Sequence, residues 1–239
     1  MRRVRNTAFS ALLCALAALT VLTLAFVIYF IVQEALPTFE EVPLREFLFG
    51  RRWMPIDYTG AGASFGIFNF IMGTLSVSLI AILLASLVGL GAAVFLSCAA
   101  GARTRAVLYP LIDLLAGIPS VVYGFFGIVV LVPMVRALGE PWDGSGKSML
   151  TASILLAIMI LPTIIQLTSA AVKAVPNSYY EGSLALGATP IETYFRVSVP
   201  AAKSGIAAAV VLGVGRAIGE AMAVMMVSGN VPNICLLYT

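Results

Sequence analysis

The 239-residue sequence contains no histidine and only three cysteines. The absence of histidine excludes histidine-based acid–base catalysis and most zinc sites. The cysteines lie far apart and form no C-x-x-C pair, so they indicate neither a metal centre nor a disulfide framework. Charged residues make up only 10% of the chain, whereas about a quarter is usual in soluble domains. The net charge of +3 is too small to indicate nucleic-acid binding.

Hydrophobic residues are abundant instead, at 61% of the sequence. They come in runs of about twenty residues or more, the length that a helix needs to cross a bilayer core. Because a spanning segment must satisfy its own backbone hydrogen bonds, we expect helices throughout, in an all-α, polytopic membrane helical bundle with about five spans. The predicted spans are 8–32, 67–97, 106–135, 149–172 and 205–228.

The first predicted span follows three arginines within the first five residues, as a signal peptide would. Its apolar stretch is too long for a signal peptide, and no small-x-small cleavage site follows it. We therefore interpret it as a retained anchor. The sequence then divides into residues 1–66, an anchor span with an outer polar segment, and residues 67–239, a transmembrane domain with a polar loop at 173–203.

Basic residues are distributed unevenly among the segments between the spans. With the N-terminus inside, the cytoplasmic segments hold Arg2, Arg3, Arg5, Arg103, Arg105, Lys173, Arg196 and Lys203. The outer segments hold Arg45, Arg51, Arg52, Arg136 and Lys147 with the more numerous Glu34, Glu40, Glu41, Glu46, Asp57, Glu140 and Asp143. Because cytoplasmic loops carry the excess of lysine and arginine, the N-terminus and the loop 173–203 are predicted to be cytoplasmic.

The polar loop 173–203 carries signals for two short helices. Ser178 to Glu181 and Thr189 to Glu192 both fit the capping box, in which a hydroxyl and a glutamate satisfy free amides at a helix start. Pro190 suits the first position of the second helix, and Gly187 suits a left-handed position that ends the first. The loop is therefore predicted to form a helix, a glycine turn and a second helix.

The same loop resembles the EAA loop of ABC-importer permeases, whose pattern is E-A-A, three residues, G, nine residues, I-x-L-P. The matching positions are Glu181, Gly182, Ser183, Gly187 and Pro200. The first triplet reads E-G-S here, and Val197 and Val199 replace the isoleucine and leucine. The resemblance implies that this ATPase-coupling loop docks into a groove on an ATPase dimer, whose closure then pushes on the membrane helices. The alternative is a solvated loop whose glutamates only cap helices.

The last predicted span contains Arg216 and Glu220, four residues apart and therefore expected on one helical face. Ionisable groups at membrane depth usually face a protein interior or an aqueous path. One hypothesis is a substrate pathway for an anion, in which Arg216 attracts an oxyanion with its forked donors and Glu220 restrains the arginine. The other is a self-neutralising structural pair.

Three further features are interpreted as structural. Gly215 and Gly219 form a small-x-x-x-small step, which favours close helix packing over backbone contact with substrate. The stretch 117–124 contains proline and glycine, which favours a helix kink over a cavity lined by free backbone groups. Asp113 lies near the predicted start of the third span, which favours a helix-start or interfacial carboxylate over a substrate ligand.

A nucleotide site is excluded in this chain. Gly146, Lys147 and Ser148 resemble the end of a P-loop, but Pro141 occupies the place of its first glycine. The G-x-S-x-G match at residues 62–66 lacks the histidine that a serine triad needs, because the sequence has none, and no credible pair of catalytic carboxylates is present. We therefore expect no enzymatic activity, no cofactor and no metal in this chain, and we assign ATP hydrolysis to a partner.

Three longer stretches resemble the phosphate permease of the PstC type. They are 47–50 with Trp53 and Pro55, 116–127, and 213–230. The resemblance implies phosphate uptake across the bacterial inner membrane by alternating access. It also implies a lipid-embedded assembly with a second homologous permease subunit, an ABC ATPase dimer and an extracytoplasmic phosphate-binding protein. That binding protein would dock on the outer segments 33–66 and 136–148.

Two alternatives remain at this stage. In the first alternative, the substrate is another oxyanion, such as sulfate or molybdate, because Arg216 suits any of them. Alternatively, the protein is a membrane scaffold or signalling subunit that does not transport. Permeases of the resembled type usually have one further span, and Cys235 to Thr239 do not continue their pattern. We therefore expect a chain that is shortened at its C-terminal end.

Overall fold

The computed structural model describes residues 2–56, 62–138 and 146–229, and α-helices dominate these ranges. Several residues used above lie outside them: Asp57, Glu140, Pro141, Asp143, Asn230 and Cys235 to Thr239. Within the described ranges, four helices are long and apolar enough to cross a membrane, or five if one bent pair counts as a single span. The prediction of an all-α membrane bundle is confirmed.

The chain divides into two compact units, Met1–Phe68 and Asn69–Thr239. The first unit contains α1 (Arg2–Ala35), α2 (Thr38–Glu41), α3 (Leu44–Phe49) and the antiparallel strands β1 (Trp53–Met54) and β2 (Ser64–Phe65). Trp53 pairs with Phe65, and their rings meet edge to face with centroids 5.9 Å apart. The apolar α1 matches the first predicted span, whereas the short hairpin was not predicted. The functional division at residue 66 stays a prediction.

The second unit is built from membrane-length and short helices. Its elements up to the polar loop are α4 (Phe68–Val94, which starts at the unit boundary), α5 (Ala102–Gly117), α6 (Ser120–Phe126), α7 (Val132–Leu138) and α8 (Met149–Lys173). The remaining helices are α9 (Asn177–Ala185), α10 (Pro190–Thr193), α11 (Val199–Ala201), α12 (Lys203–Ile218) and α13 (Met222–Val227). Wider π-helical turns occupy Phe95–Ala99, Gly127–Leu131 and Tyr194–Ser198.

The core of this unit is α8, which packs most extensively against α12. Its side chains Leu155, Leu156, Ile160 and Ile164 are fully buried. The helix begins where the hydroxyl of Ser148 accepts a hydrogen bond from the Thr151 amide. The predicted fourth span, 149–172, therefore agrees with α8 almost to the residue.

The third predicted span is wrong as one continuous helix. The helix is interrupted at Ile118 and Pro119, between α5 and α6. The membrane-length apolar segment is Ser120–Ala137 instead. Proline has no N–H to donate, which leaves carbonyl groups of the preceding turn without helical partners. The Tyr123 hydroxyl donates to the Leu115 carbonyl over 2.8 Å and so bridges the break. The predicted kink is a full interruption.

The fifth predicted span, 205–228, is also interrupted. Helix α12 ends at Ile218 and α13 begins at Met222. At its other end, α12 forms a bent pair with the segment Pro190–Ala201, at an angle of 66°. A π-helical turn lies two residues before Pro200, because proline cannot donate to the carbonyl four residues back and its ring clashes with that carbonyl.

Candidate functional site

The first helix of the coupling loop, α9, starts differently from the prediction. Pro176 stands at its N-cap, and no side chain caps its free amides. Ser178 is therefore already inside the first turn, where its hydroxyl is not at the capping position. The predicted capping box from Ser178 to Glu181 is wrong, because the helix begins two residues earlier than the box requires.

The glycine turn after α9 is confirmed. Gly187 has a φ of +88°, a left-handed conformation that glycine adopts without steric cost. The Gly187 amide donates to the Leu184 carbonyl at 2.9 Å, and the Ala188 amide donates to the Ser183 carbonyl at 3.3 Å. This pair of bonds is the Schellman motif, which satisfies the last carbonyls of a helix.

The capping box at the start of α10 is also confirmed. The Glu192 amide donates to the Thr189 hydroxyl at 3.3 Å, and the Thr189 amide donates to a Glu192 carboxylate oxygen at 3.0 Å. The Thr189 hydroxyl donates to the same carboxylate oxygen at 2.9 Å. The two bonds that the carboxylate accepts, from the amide and from the hydroxyl of Thr189, hold the pKa of the Glu192 carboxyl below its ordinary value. Because the ionised form accepts both bonds, the box is complete at neutral pH and is lost only under acid conditions.

The two helices of the loop are joined by contacts across the turn. The hydroxyls of Ser183 and Thr193 lie 2.9 Å apart, and the rings of Tyr180 and Tyr194 lie with centroids 4.9 Å apart. Thr193 is completely buried and Ser183 is half-buried. Ser183 therefore holds the helix pair together.

The outer surface of the coupling loop combines polar and apolar groups. The predicted contact residues Glu181, Gly182 and Pro200 are exposed. Leu186 is 91% exposed and Ile191 is 69% exposed, on either side of the glycine turn. Sequence reasoning missed these two residues. The available signal was the presence of large apolar side chains at the tip of a polar loop, where burial within the chain is impossible.

A cavity of about 390 Å³ lies between the end of α8 and the coupling helices. Its lining includes Ser97, Lys173, Tyr180, Glu181 and Tyr194. The Lys173 ammonium stands over the ring of Tyr109 at 4.3 Å from its centroid. The coupling helices thus enclose polar space against the ends of the membrane helices.

Arg216 lies in the last turn of α12 and reaches α8. Its guanidinium Nη1 donates to the Thr163 hydroxyl over 2.9 Å, and the arginine remains exposed on the surface of the chain. Glu220 lies beyond the end of α12, where its carboxylate accepts from the Ala223 amide at 3.0 Å. Among the described residues these two side chains form no ion pair. The predicted shared face is wrong because the helix stops at Ile218.

A second polar contact lies one turn along α8. The Gln166 amide Nε2 donates to a carboxylate oxygen of Asp113 over 2.7 Å. Asp113 belongs to the third turn of α5, so the expectation of a helix-start carboxylate is wrong. We call Arg216, Thr163, Gln166 and Asp113 the polar strip. Thr163 and Gln166 were missed, although two hydrogen-bonding side chains three residues apart share one face of an otherwise apolar helix.

The glycines of α12 differ in what they contact. A side chain at Gly213 would meet Ile164 of α8 at 3.1 Å, so this glycine permits close helix packing. A side chain at Gly215 would meet no described atom within 4 Å, and one at Gly219 would meet only the carbonyls of its own helix. Among the described residues, the predicted packing role of Gly215 and Gly219 is therefore not found. The glycines of α12 that permit close packing on α8 are Gly213 and Gly205, where a side chain would meet Ala171.

The fold and these sites define a class of protein, a helical membrane protein with a polar loop of helix, glycine turn and helix. Residues 81–234 match the family described as "Binding-protein-dependent transport system inner membrane component". The chain belongs to this family. The family and the apolar helices together make it a multi-pass inner-membrane protein.

Individual relatives agree with this assignment. The chain is 44% identical over 185 residues to the "Probable ABC transporter permease protein YqgH" of Bacillus subtilis, with 77% of this chain and 58% of the relative covered. It is 36% identical over 201 residues to the "Phosphate transport system permease protein PstC" of Mesorhizobium japonicum, covering 77% and 60%. It is 39% identical over 189 residues to "PstC 1" of Mycobacterium tuberculosis, covering 71% and 55%. The chain thus spans between about half and three fifths of these relatives.

Proposed function

We propose that this chain is part of a permease subunit that moves inorganic phosphate into the cytoplasm by alternating access, driven by ATP hydrolysis in a partner. The observation that carries the proposal is Arg216, an exposed arginine that α8 holds in place at the end of an apolar helix. A guanidinium at this depth is costly against lipid, so it faces a water-filled path or a second permease subunit. Its remaining donors suit an oxyanion.

The proposed assembly follows from the chemistry of the two ends of the unit. A second homologous permease subunit would complete the path on the side of the polar strip. An ABC ATPase dimer would receive the coupling loop, with Leu186 and Ile191 in its groove and Glu181 at the rim. An extracytoplasmic phosphate-binding protein would deliver substrate on the opposite side. The N-terminus is proposed to be cytoplasmic because basic residues concentrate in the segments on that side.

The substrate assignment has one specific competitor. Two of the relatives named above carry the words "Phosphate transport system" in their names, whereas the name of the Bacillus relative states no substrate. Arg216 alone would accept sulfate or molybdate as well as phosphate. Phosphate is therefore proposed on the names of relatives, and another oxyanion is the alternative.

The experiment that tests the proposal is ATP-dependent uptake of radiolabelled phosphate into proteoliposomes. These would hold the full-length subunit with its partner permease, ATPase and binding protein. We expect uptake that excess sulfate or molybdate does not reduce. Strong reduction by either competitor would assign a different oxyanion, and absence of any oxyanion uptake in an intact assembly would favour a scaffold or signalling subunit.

Within this assay, Arg216→Gln is expected to reduce uptake at least about tenfold, because hydrogen bonds to a charged group contribute about 1.5–3 kcal/mol. The control is Arg103→Gln, which removes an exposed arginine at the start of α5. We expect uptake by the control to be unchanged. Equal loss in both variants would mean that the general positive charge matters, and not the position of Arg216.

The coupling surface has its own test. Leu186→Asp places a carboxylate at the proposed contact and is expected to reduce copurification of the ATPase and phosphate-stimulated ATP hydrolysis. Ala174→Asp places the same charge at an exposed position before α9 and serves as the control. Retention of the ATPase by Leu186→Asp would contradict docking through this tip.

A further inference from the structure

Asp113 is the one acidic member of the polar strip, and neither the coupling loop nor Arg216 accounts for it. It is exposed, and α8 holds it through Gln166 by the 2.7 Å hydrogen bond to one carboxylate oxygen. The other carboxylate oxygen has no hydrogen bond to a described residue. Its partner Gln166 belongs to the membrane-length helix α8. An exposed carboxylate held against a spanning helix is costly beside lipid, so we infer that it faces a path or a partner, as the arginine does.

The polar strip brings this carboxylate and the guanidinium of Arg216 to one face of α8. Thr163 and Gln166 are three residues apart and are therefore neighbours on that face. Each holds a group of opposite charge from a different helix, Arg216 from α12 and Asp113 from α5. Because three residues rise about 4.5 Å along a helix, Thr163 and Gln166 hold these opposite charges at neighbouring levels of α8.

A carboxylate beside an anion path favours anions that carry a proton over anions that have none. An ionised carboxylate only accepts hydrogen bonds, so it repels an anion that has no proton to donate. At neutral pH inorganic phosphate keeps at least one acidic proton, whereas sulfate has lost both. A phosphate O–H can therefore donate to the free Asp113 oxygen while its other oxygens accept from Arg216. Sulfate would leave two negative groups in contact with no hydrogen between them.

We propose that Asp113 is a specificity-determining residue of the permease, which admits protonated oxyanions and excludes fully ionised ones, and that Gln166 is its positioning residue. This inference rests on the proposed function, since it assumes that an anion passes the polar strip. It adds a second point of selection, within the membrane subunit and separate from the binding protein.

The test must bypass the binding protein, which would otherwise select the anion first. Radiolabelled phosphate is bound to the full assembly without binding protein, in lipid nanodiscs and with ATP present, and is displaced by sulfate or by arsenate. Arsenate keeps a proton at neutral pH as phosphate does. For the unaltered assembly we expect half displacement by arsenate at a far lower concentration than by sulfate.

Asp113→Asn removes the charge and retains an oxygen that accepts from Gln166. We expect the sulfate concentration for half displacement to fall at least about tenfold, because a site built around a substrate O–H discriminates strongly against analogues without it. Displacement by arsenate should not change. Asp113→Glu, which keeps the carboxylate, should retain the exclusion of sulfate.

The outcomes separate this inference from the proposed function. If the unaltered assembly takes up phosphate in proteoliposomes and sulfate displaces phosphate equally with Asp113 and with Asn at this position, the inference is overturned and the function stands. If no phosphate is taken up, the proposed function fails. Should the asparagine variant not assemble, Gln166→Leu decides, because it leaves the carboxylate untethered. It should weaken the exclusion of sulfate, and unchanged exclusion would overturn the inference.

Discussion

Helices α4 and α8 are both long and apolar enough to span a membrane, but they occupy opposite environments within one unit. Most residues of α8 are buried against other helices. Few residues of α4 are buried, and the stripe Leu75, Leu79, Leu83 and Leu87 at every fourth position is exposed. The buried stripe, offset by two residues and therefore on the opposite face, contains Val77, Ala81, Ala85, Gly89 and Ala93.

The difference shows that side-chain size and polarity, and not apolar character, decide which membrane helix faces protein. Lipid tails are as apolar as leucine, so burial of a leucine against another helix yields no hydrophobic gain over lipid. Close packing requires small residues, such as those on the inner stripe of α4. Hydrogen-bonding side chains also mark protein-facing positions, as Thr151 and Ser153 do on α8.

The largest expected effect is the difference between a leucine-to-alanine substitution on α8 and the same substitution on α4. Leu155→Ala removes a completely buried side chain from α8 and should lower the free energy of unfolding by about 2–5 kcal/mol, through lost packing and an unfilled cavity. Leu87→Ala on α4 acts on a side chain that is 78% exposed and should change stability little. Denaturation in mixed micelles, followed by circular dichroism, measures both. Similar losses in both variants would contradict the comparison.

A smaller effect is expected within α4 itself. A side chain at Gly89 would meet Ile164 of α8 at 3.0 Å, whereas one at Gly91 would meet nothing within 4 Å. Gly89→Leu should therefore destabilise the unit by about 1–3 kcal/mol through overpacking. Gly91→Leu is the matched control and should leave the unfolding midpoint unchanged or raised, because leucine favours helix more than glycine does. The reverse order of unfolding midpoints would mean that the buried face of α4 is not the one that contains Gly89.

The smallest expected effect compares two threonines. The Thr151 hydroxyl on α8 is buried and donates to the Gly146 carbonyl over 2.6 Å, outside its own helix. The Thr74 hydroxyl on α4 is exposed and donates to the Phe70 carbonyl one turn back. Thr151→Val should cost about 1 kcal/mol, and Thr74→Val a few tenths, because only the first loss leaves a buried carbonyl without its donor. Equal unfolding midpoints for the two variants would show that buried hydrogen-bonding side chains do not distinguish α8 from α4.

Local signals in the sequence predicted local structure well. Gly187, Thr189 and Glu192 act through bonds that span only a few residues, and the glycine turn and the second capping box have the expected form. The first box failed because the helix starts after Pro176, two residues before the start that the box requires. The membrane-length apolar runs likewise predicted the bundle and its longest helices.

Tertiary features were less accessible to sequence reasoning. The spacing of Arg216 and Glu220 predicted a shared face only on the assumption of an unbroken helix, and the helix stops between them. Thr163 and Gln166 form their hydrogen bonds with partners 53 residues away in sequence, on α12 and α5. No local pattern links such positions. The interruption at Ile118 and Pro119 was visible in the sequence as a kink, but its extent was set by packing.

The bend beside Pro200 has a mechanical consequence. The segments Pro190–Ala201 and Lys203–Ile218 form the two arms of a crank, about 18 Å and about 24 Å long at the usual helical rise. Backbone bonds continue through the corner, from the Ala202 amide to the Ser198 carbonyl and from the Ile206 amide to the Ala202 carbonyl. These bonds join the two segments at the corner. If the proposed ATPase contact displaced Ile191 on the short arm, rotation of the joined segments about this corner would displace Arg216 on the long arm about one third further.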